Sequence, residues 1–353
     1  STFKNFNIPY SHQYGMNINS LVMDNYGVLW IGDGNKGLLS FDGENFRQWG
    51  INEGLAGNTV YNTFIEDDNN MWVATNNGVC VFDGETFKII HEFNNPHALD
   101  NGDVSSIEKS KDGIYFFGQD VRGLIIYDPN SLRNIEKADG FKKGQVGRIK
   151  YDNENNLWIS QWNGNGGISR IENEQVVEYI TIDDGLPNFR VTDFDFSRDN
   201  KMWIGTPNGL AVYDIDEKKM KVFQKKDGLP ETNIRGLAID DNDIIWLYTP
   251  SGLIRYDGEL FTLYTQDDGL VRPRGNGRVK IDNKGNVVFT TYGSGFSIFD
   301  GKSFKNYDKS NGMVDGRIWD IGIDSKNNYW IALDGSGVQM FNGKSFEHYD
   351  VED

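Results

Sequence analysis

An aromatic and apolar tetrapeptide recurs eight times along the 353-residue chain, and this repeat constrains the fold more than any other feature. Its aligned second positions are Trp30, Trp72, Tyr115, Trp158, Trp203, Trp246, Val288 and Trp330. Neighbouring copies lie 42 to 45 residues apart. A period this regular indicates one supersecondary unit of about 43 residues that is repeated eight times.

Each unit is predicted to contain four short strands separated by turns rich in Asp, Asn and Gly. In the sixth unit the strands are predicted over residues 234–239, 244–248, 253–256 and 260–264. The Asp257-Gly258 pair predicts a two-residue hairpin loop before the last strand.

A four-stranded unit of this size cannot bury both of its faces alone, but units stacked around an axis can. The sequence therefore predicts an all-β fold, a β-propeller of eight four-stranded blades, as a single domain over residues 1–353. The repeated Trp of the second strand is predicted to pack between blades.

Residues 1–14 carry an additional strand signal. The segment 2–7 matches 303–308, which is a predicted fourth strand, so the chain opens with a spare copy of that strand. Two interpretations stay open. The spare strand pairs beside the last blade and closes the ring, or it is the remnant of a preceding repeat.

The charge balance bears on the partners. The formal net charge is −17, from 35 basic and 52 acidic residues, and such a surface repels phosphate backbones and anionic headgroups. No apolar run approaches the roughly 18 residues of a membrane span. We therefore expect no nucleic-acid partner and no direct membrane insertion. The chain begins at Ser1 without a signal sequence, and we expect an export signal to be missing from this sequence.

The joined repeat pattern is recognisable in the fifth and sixth units. It runs through Asp227-Gly228-Leu229-Pro230, the stretch 202–210, Tyr256-Asp257-Gly258 and the stretch 261–264. This pattern resembles the two-component regulator propeller repeat, which is found in periplasmic sensor regions of hybrid histidine kinases and in stand-alone exported proteins.

The resemblance implies a periplasmic or extracellular sensor domain that recognises a small molecule, often a breakdown product of a polysaccharide. Family sensors commonly continue into further domains, including a kinase, whereas this chain holds eight repeats alone. We therefore expect either a fragment of a signalling protein or a free-standing binding protein.

In a propeller, the loops from a fourth strand to the next first strand, and from a second to a third strand, emerge on one face, here called the entry face. Loops on a rigid scaffold are where binding residues concentrate. Eight of the thirteen arginines fall in these loops or at the start of a first strand: Arg122, Arg148, Arg190, Arg235, Arg272, Arg274, Arg278 and Arg317. They are predicted either to bind an anionic ligand or to pair with the nearby Asp-Asp-Gly loops.

Aromatic residues interrupt the repeat on the same face. They are Tyr61, Trp162, Tyr292 and Trp319. An aromatic ring beside polar groups suits stacking on a sugar, and the alternative is packing beneath the loops. The candidate ligand-binding residues are therefore these four together with Arg122, Arg190, Arg235, Arg274, Arg278 and Arg317, and an acidic oligosaccharide is the predicted ligand.

The sequence carries few signs of catalytic or metal-binding chemistry. The four His residues lack metal-site spacing, and the Asp-rich turns lack the calcium-loop pattern, so we assign no catalytic residue, no metal site and no cofactor. Two alternatives stay open for the entry face. One is a polysaccharide lyase or hydrolase that uses His97, and the other is a scaffold for another protein or a signalling domain.

Overall fold

The computed structural model describes thirteen stretches of the chain. They are residues 5–7, 18–66, 70–90, 103–110, 113–119, 123–128, 131–135, 146–161, 166–172, 175–275, 277–324, 326–334 and 336–350. In chain order the strands begin with β1 (Asn5–Asn7), β2 (Ile18–Met23), β3 (Leu29–Asp33), β4 (Gly37–Phe41), β5 (Phe46–Trp49), β6 (Val60–Ile65), β7 (Met71–Thr75), β8 (Gly78–Phe82), β9 (Phe87–Ile89), β10 (Val104–Lys109), β11 (Tyr115–Gln119), β12 (Gly123–Asp128), β13 (Ser131–Ile135), β14 (Val146–Tyr151), β15 (Leu157–Gln161) and β16 (Gly167–Glu172). They continue with β17 (Gln175–Ile180), β18 (Asp193–Phe196), β19 (Lys201–Thr206), β20 (Gly209–Asp214), β21 (Lys219–Phe223), β22 (Gly236–Ile239), β23 (Ile245–Thr249), β24 (Gly252–Tyr256), β25 (Phe261–Tyr264), β26 (Val279–Ile281), β27 (Val287–Thr290), β28 (Phe296–Phe299), β29 (Phe304–Tyr307), β30 (Ile318–Ile323), β31 (Tyr329–Leu333), β32 (Gly337–Phe341) and β33 (Phe346–Asp350).

These strands form eight sheets, one for each repeat. Seven sheets have four strands in sequence order, beginning at β2, β6, β10, β14, β18, β22 and β26. The last sheet has the order β1-β33-β32-β31-β30, and β1 pairs with β33 in parallel, Asn5 opposite His348. The fold is a β-propeller of eight four-stranded antiparallel blades, so the predicted fold class is confirmed.

The chain divides into two compact units. Unit 1 is Ser1–Ile107 with Tyr307–Asp353, and unit 2 is Glu108–Asn306. The N-terminal strand β1 belongs to unit 1, where it adds an outer strand to the last sheet. That the whole chain behaves as a single domain stays a prediction.

The strands of the sixth unit lie close to their predicted positions, but its last loop differs. Tyr256 pairs with Phe261, so the loop has four residues instead of two. The reason is a side-chain turn at Asp257, whose Oδ1 accepts hydrogen bonds from the backbone N–H groups of Glu259 at 3.1 Å and Leu260 at 2.9 Å. These bonds fix the wider loop.

Aromatic residues join neighbouring blades within each unit. In unit 1 the ring of Trp30 lies 5.1 Å from that of Phe82 on the next blade, and Trp49 lies 5.1 Å from the same ring. In unit 2 Trp203 and Phe223 surround Tyr256 in the same way, at 5.6 and 5.4 Å. The repeated Trp therefore packs between blades, as predicted, because its ring supplies much of the apolar area that each blade must bury.

The repeated Trp is also anchored within its own blade. In the fourth blade, Asp152 of the turn before β15 accepts the backbone N–H of Asn156 with Oδ1, at 2.8 Å, and the Nε1–H of Trp158 with Oδ2, at 2.9 Å. The same bond to the indole recurs from Asp24, Asp240 and Asp324. These carboxylates order the hairpin turn and satisfy a buried indole, which explains the Asp-rich turns without a calcium ion.

A short 3-10 turn follows several fourth strands. The turns are Ile51–Glu53, Ile182–Asp184, Lys225–Asp227, Gln266–Asp268 and Lys309–Asn311. In one of them Asp268 Oδ2 accepts the backbone N–H of Thr265 at 2.9 Å, and the buried Leu270 follows. The carboxylates of the Asp-Asp-Gly loops thus cap these turns.

Candidate functional site

Three of the predicted ligand-binding residues meet at the loop before β26, in unit 2. Arg235 donates from Nη1 to the carbonyl oxygen of Gly275 at 2.7 Å. Tyr292 donates its backbone N–H to the carbonyl oxygen of Arg274 at 2.9 Å. We call Arg235, Arg274 and Tyr292 the arginine cluster.

A buried tyrosine supports this cluster from below. Tyr248 is fully buried, and its hydroxyl donates to the carbonyl oxygen of Gly275 at 3.1 Å. Burial raises the pKa of Tyr248 to about 12, and the nearby charge of Arg235 opposes this rise, so the phenol stays protonated and remains a donor. Tyr248 was not predicted as part of the site, because in the sequence it occupies an ordinary second-strand position.

The side chains of the cluster differ in availability. Arg274 and its neighbour Arg272 are exposed, whereas Arg235 is half-buried and holds the loop. Arg278 is half-buried just before β26, and its backbone N–H donates to Thr290 Oγ1. Arg190 is exposed on the loop before β18. An exposed guanidinium beside a fixed loop is suited to bind a carboxylate or sulfate.

Three other predicted residues lie in unit 1. Tyr61 donates its hydroxyl to Asp103 Oδ2 at 2.9 Å. Trp319 is 41% exposed and donates from Nε1 to Asn19 Oδ1 at 3.5 Å. Arg317 forms ion pairs with Asp315 at 3.0 Å and with Asp334 at 3.3 Å. Arg317 therefore follows the alternative in which an arginine pairs with nearby carboxylates, although these are not the Asp-Asp-Gly carboxylates.

The ion pairs of Arg317 affect the protonation of its partner. Burial of Asp315 tends to raise the pKa of its carboxyl group, but the hydrogen bonds and the positive charge of Arg317 outweigh burial and lower that pKa. Asp315 is thus held as a carboxylate. Two more predicted ligand residues, Arg122 and Trp162, lie outside the described residues, and so does His97.

The first strands of unit 2 carry a row of alternating charges. Arg148 Nε lies 3.5 Å from Asp193 on the adjacent strand β18, and Lys150 Nζ lies 3.1 Å from Asp195. On β10, burial raises the pKa of Glu108 to about 7, while the backbone N–H of Lys109 and the charge of Lys150 oppose the rise. Arg148 is therefore ion-paired and is less available to a ligand than Arg274.

A cavity of about 890 Å³ in unit 1 was not predicted from the sequence. It lies at the opposite end of the strands from the entry-face loops, beside the turn between β2 and β3 and the turn between β30 and β31. Buried Phe41, Trp330 and Met340 line it, together with Glu347 and the 83%-exposed Tyr26. Comparing the repeats position by position could have indicated it, because no other repeat has Met at the third-strand position of Met340.

Metal binding finds no support in the described part of the chain, where no group of three or more His, Cys, Asp or Glu side chains is arranged to hold an ion. The single cysteine, Cys80, is buried, and burial raises the pKa of its thiol to about 12. Among the described residues, no helix has the length and apolar character to cross a bilayer.

Comparison with known proteins bears on the family. The model of the two-component regulator propeller family matches residues 54–77, a segment that includes β6 and β7. This chain contains a two-component regulator propeller repeat. The predicted resemblance is thereby confirmed, although the match lies in the second unit and not in the fifth or sixth. No curated protein matches the sequence significantly.

Solved structures support the same fold. The extracellular domain of the putative hybrid two-component system BT3049 from B. thetaiotaomicron is 19% identical, with a TM-score of 0.58, over 92% of this chain and 51% of that one. PorZ, a surface component of the type-IX secretion system of Porphyromonas gingivalis, is 13% identical, with a TM-score of 0.61, over 92% and 52%.

A third structure with this fold is an enzyme. Virginiamycin B lyase from Staphylococcus aureus is 14% identical, with a TM-score of 0.57, over 79% of this chain and 93% of that one. Identities this low show the fold alone. The chain spans about half the length of the BT3049 domain and of PorZ.

Proposed function

We propose that this chain is an extracytoplasmic ligand-binding module, and that its arginine cluster binds the acidic group of an oligosaccharide. The observation that carries the proposal is the exposed Arg274 side chain on a loop held in place by Arg235 and Tyr248. A preorganised loop lowers the entropy that a ligand must overcome on binding.

The chemistry of the cluster favours a carboxylated or sulfated sugar. A guanidinium group offers a planar fork of donors that matches a carboxylate or a sulfate. Tyr292, half-buried beside Arg274, presents an aromatic ring of the kind that packs against the apolar face of a sugar. The module would report this ligand to a signalling domain or to another protein.

Arg274→Ala is the sharpest single test. Arg235→Ala would disturb the loop as well as any ligand, because Arg235 holds Gly275. In contrast, the described hydrogen bonds of Arg274 are accepted by its backbone carbonyl. Loss of one charge-assisted pair is expected to weaken binding of a uronate oligosaccharide by about tenfold or more while the melting temperature stays unchanged.

Calorimetry against neutral, uronate and sulfated oligosaccharides would measure this effect. Arg198→Ala is the matched control, because Arg198 is an exposed arginine of unit 2 in the turn between β18 and β19. Binding of neutral and acidic sugars with equal affinity, or unchanged affinity in Arg274→Ala, would refute the proposal. An absence of binding to any sugar would instead favour a protein partner.

A further inference from the structure

Lysines are concentrated at the fourth strand of the fifth blade, in unit 2. Five of them lie within nine positions, just before β21, along it and in the 3-10 turn after it: Lys218, Lys219, Lys221, Lys225 and Lys226. All five are exposed, and we call them the lysine stripe. A group of positive charges on a chain with a net charge of −17 is suited to a negatively charged partner.

Two lysines of the stripe already have acidic partners within the chain. Lys218 Nζ lies 3.8 Å from the carboxylate of Glu178 on the preceding blade. Lys219 Nζ lies 2.9 Å from the carboxylate of Glu217 in the turn before β21. These two ion pairs neutralise the lower end of the stripe.

The other three lysines form no such pair. Lys221 Nζ lies 4.5 Å from the centroid of the Phe223 ring, a contact that supplies no counter-ion. Asp227 caps the 3-10 turn, where its Oδ2 accepts the backbone N–H of Gln224 at 3.0 Å. Within the described part of the chain, no carboxylate lies at ion-pair distance from three lysines of the stripe: Lys221, Lys225 and Lys226.

The stripe follows the outer edge of a sheet. β21 is the last strand in the order β18-β19-β20-β21, so among the described strands its backbone is paired on one side. Its outer side offers backbone donors and acceptors to a further strand. The last sheet of the chain shows such an addition, because β1 lies outside the fourth strand β33 and pairs with it in parallel. The same position on the fifth sheet is therefore suited to an added strand.

Lysines on an edge strand can also prevent unwanted pairing. The neighbouring sheet argues against this role as the whole explanation. Its outermost strand β25 (Phe261–Tyr264) is more apolar than β21 and contains no lysine. An edge that needed lysines for protection would be β25 before β21. Lysines oppose a basic strand but favour an acidic one opposite them, so they select the strand that pairs.

A second copy of this chain is a poor occupant of the edge. A symmetric dimer formed through β21 would place the stripe against itself. Any other contact would bring together two molecules that each carry a charge of −17. The charges therefore favour a different protein.

We propose that an extended acidic segment of a partner protein docks on β21 as a fifth strand. Its backbone pairs with the outer edge of β21, which supplies affinity, and its carboxylates face the lysine stripe, which supplies specificity. Alternate residues of a strand lie about 6.8 Å apart, so acidic residues at alternate positions match the spacing of Lys219 and Lys221. The lysines of the 3-10 turn contact the end of the segment. This surface shares no residue with the arginine cluster.

Three short peptides test the proposal on the full chain by fluorescence anisotropy. The first alternates Glu and Val, and the second alternates Gln and Val. The third has the acidic sequence with every second backbone nitrogen methylated, which removes the donors of one edge and keeps the charge. The acidic peptide is expected to bind at least about tenfold more tightly than either of the other two.

Two triple variants separate the stripe from the overall charge. The first is expected to weaken binding of the acidic peptide about tenfold or more, and it combines Lys221→Gln, Lys225→Gln and Lys226→Gln. The second makes the same change of charge at exposed lysines elsewhere in unit 2 and is expected to bind like the unaltered chain: Lys284→Gln, Lys302→Gln and Lys305→Gln. Arg274→Ala is also expected to bind the peptide normally.

No binding of the acidic peptide, equal binding of its methylated form, or full affinity in the stripe variant would each overturn the proposal. Tighter binding of a sulfated oligosaccharide than of the peptide to the stripe would show a site for polyanions, and the proposal would fail. Either failure leaves the arginine cluster untouched, because the acidic sugars are tested there through Arg274→Ala.

Discussion

At the scale of single residues, the bond between the turn Asp and the indole of the repeated Trp sets the local structure. Trp158 is completely buried, so its Nε1–H needs an acceptor within the protein. Asp152 provides that acceptor and also orders the turn through the backbone N–H groups of Glu154 and Asn156. One carboxylate therefore serves both the turn and the interior.

Asp152→Asn tests this double role. An amide that keeps the turn bonds would place its NH₂ group against the indole N–H, which leaves a buried donor unsatisfied and lowers the free energy of unfolding by about 1–3 kcal/mol. Asp282→Asn is the matched control, because Asp282 makes the same turn bonds but its repeat has Val288 in place of Trp. Urea denaturation of the two variants measures the difference, and equal losses would refute the indole's contribution.

Residue-scale details also limit what the sequence could predict about the site. The sequence showed the excess of arginines in the entry-face loops. It did not show which of these guanidinium groups are already engaged in contacts within the protein. Arg317 pairs with Asp334, seventeen positions away, and Arg235 holds the carbonyl of Gly275, forty positions away. Such contacts depend on side-chain directions across neighbouring loops, which a single sequence does not reveal.

At the scale of elements, the first strands of unit 2 form a charged row in which each strand faces the next. Lys150 on β14 lies between Glu108 on β10, whose pKa it helps to restrain, and Asp195 on β18. Burial still dominates at Glu108, so this carboxyl group takes up a proton near neutral pH. The row is therefore sensitive to pH at one end.

Glu108→Gln should change how stability depends on pH. The pKa of Glu108 rises from 4.5 to about 7 on folding, so the folded chain binds the proton more tightly, and this contribution to stability is lost as pH rises through that window. The variant lacks the loss, so its stability relative to the unaltered chain should increase from about pH 5 to pH 8.

Denaturant unfolding at several pH values measures the effect of Glu108→Gln. Glu259→Gln, at an exposed turn of the same unit, is the control and should follow the unaltered chain at every pH. A constant difference between Glu108→Gln and the unaltered chain across the range would contradict the raised pKa.

Elements were the best-predicted level of the structure. The alternation of apolar residues and turn residues predicted the ends of the strands in the sixth unit to within about two positions of those observed. The 3-10 turns were expected only as loops. Their caps need an acidic or amide residue three positions after the residue that begins the turn, as Asp268 follows Thr265. The repeated Asp-Gly-Leu pattern contained this signal. We interpreted that pattern only as part of the family repeat.

At the scale of the whole molecule, the net charge of −17 opposes the ligand that we propose for the arginine cluster. The screening length is about 30 Å at 0.01 M salt and about 8 Å at 0.15 M. At low salt an acidic oligosaccharide experiences the whole acidic surface, whereas at moderate salt it experiences mainly the nearby arginines.

The affinity for a uronate oligosaccharide should therefore pass through a maximum as salt increases. Repulsion by the distant carboxylates is screened first, and attraction to the cluster is weakened only at higher salt. Calorimetry from about 10 mM to about 500 mM sodium chloride measures this curve, with a neutral oligosaccharide as the control. A steady decline from the lowest salt would show that the distant charges do not matter.

The bond between the turn Asp and the indole has a consequence for how such a chain arises. Donor and acceptor lie six residues apart in one hairpin, as in Asp240 and Trp246, so each repeat that has this bond brings both partners with it. A tandem duplication or deletion in the gene therefore adds or removes a complete donor–acceptor pair. It leaves no buried indole N–H without its acceptor elsewhere in the protein. Recombination can change the number of such repeats while each of these copies keeps its own acceptor for the indole.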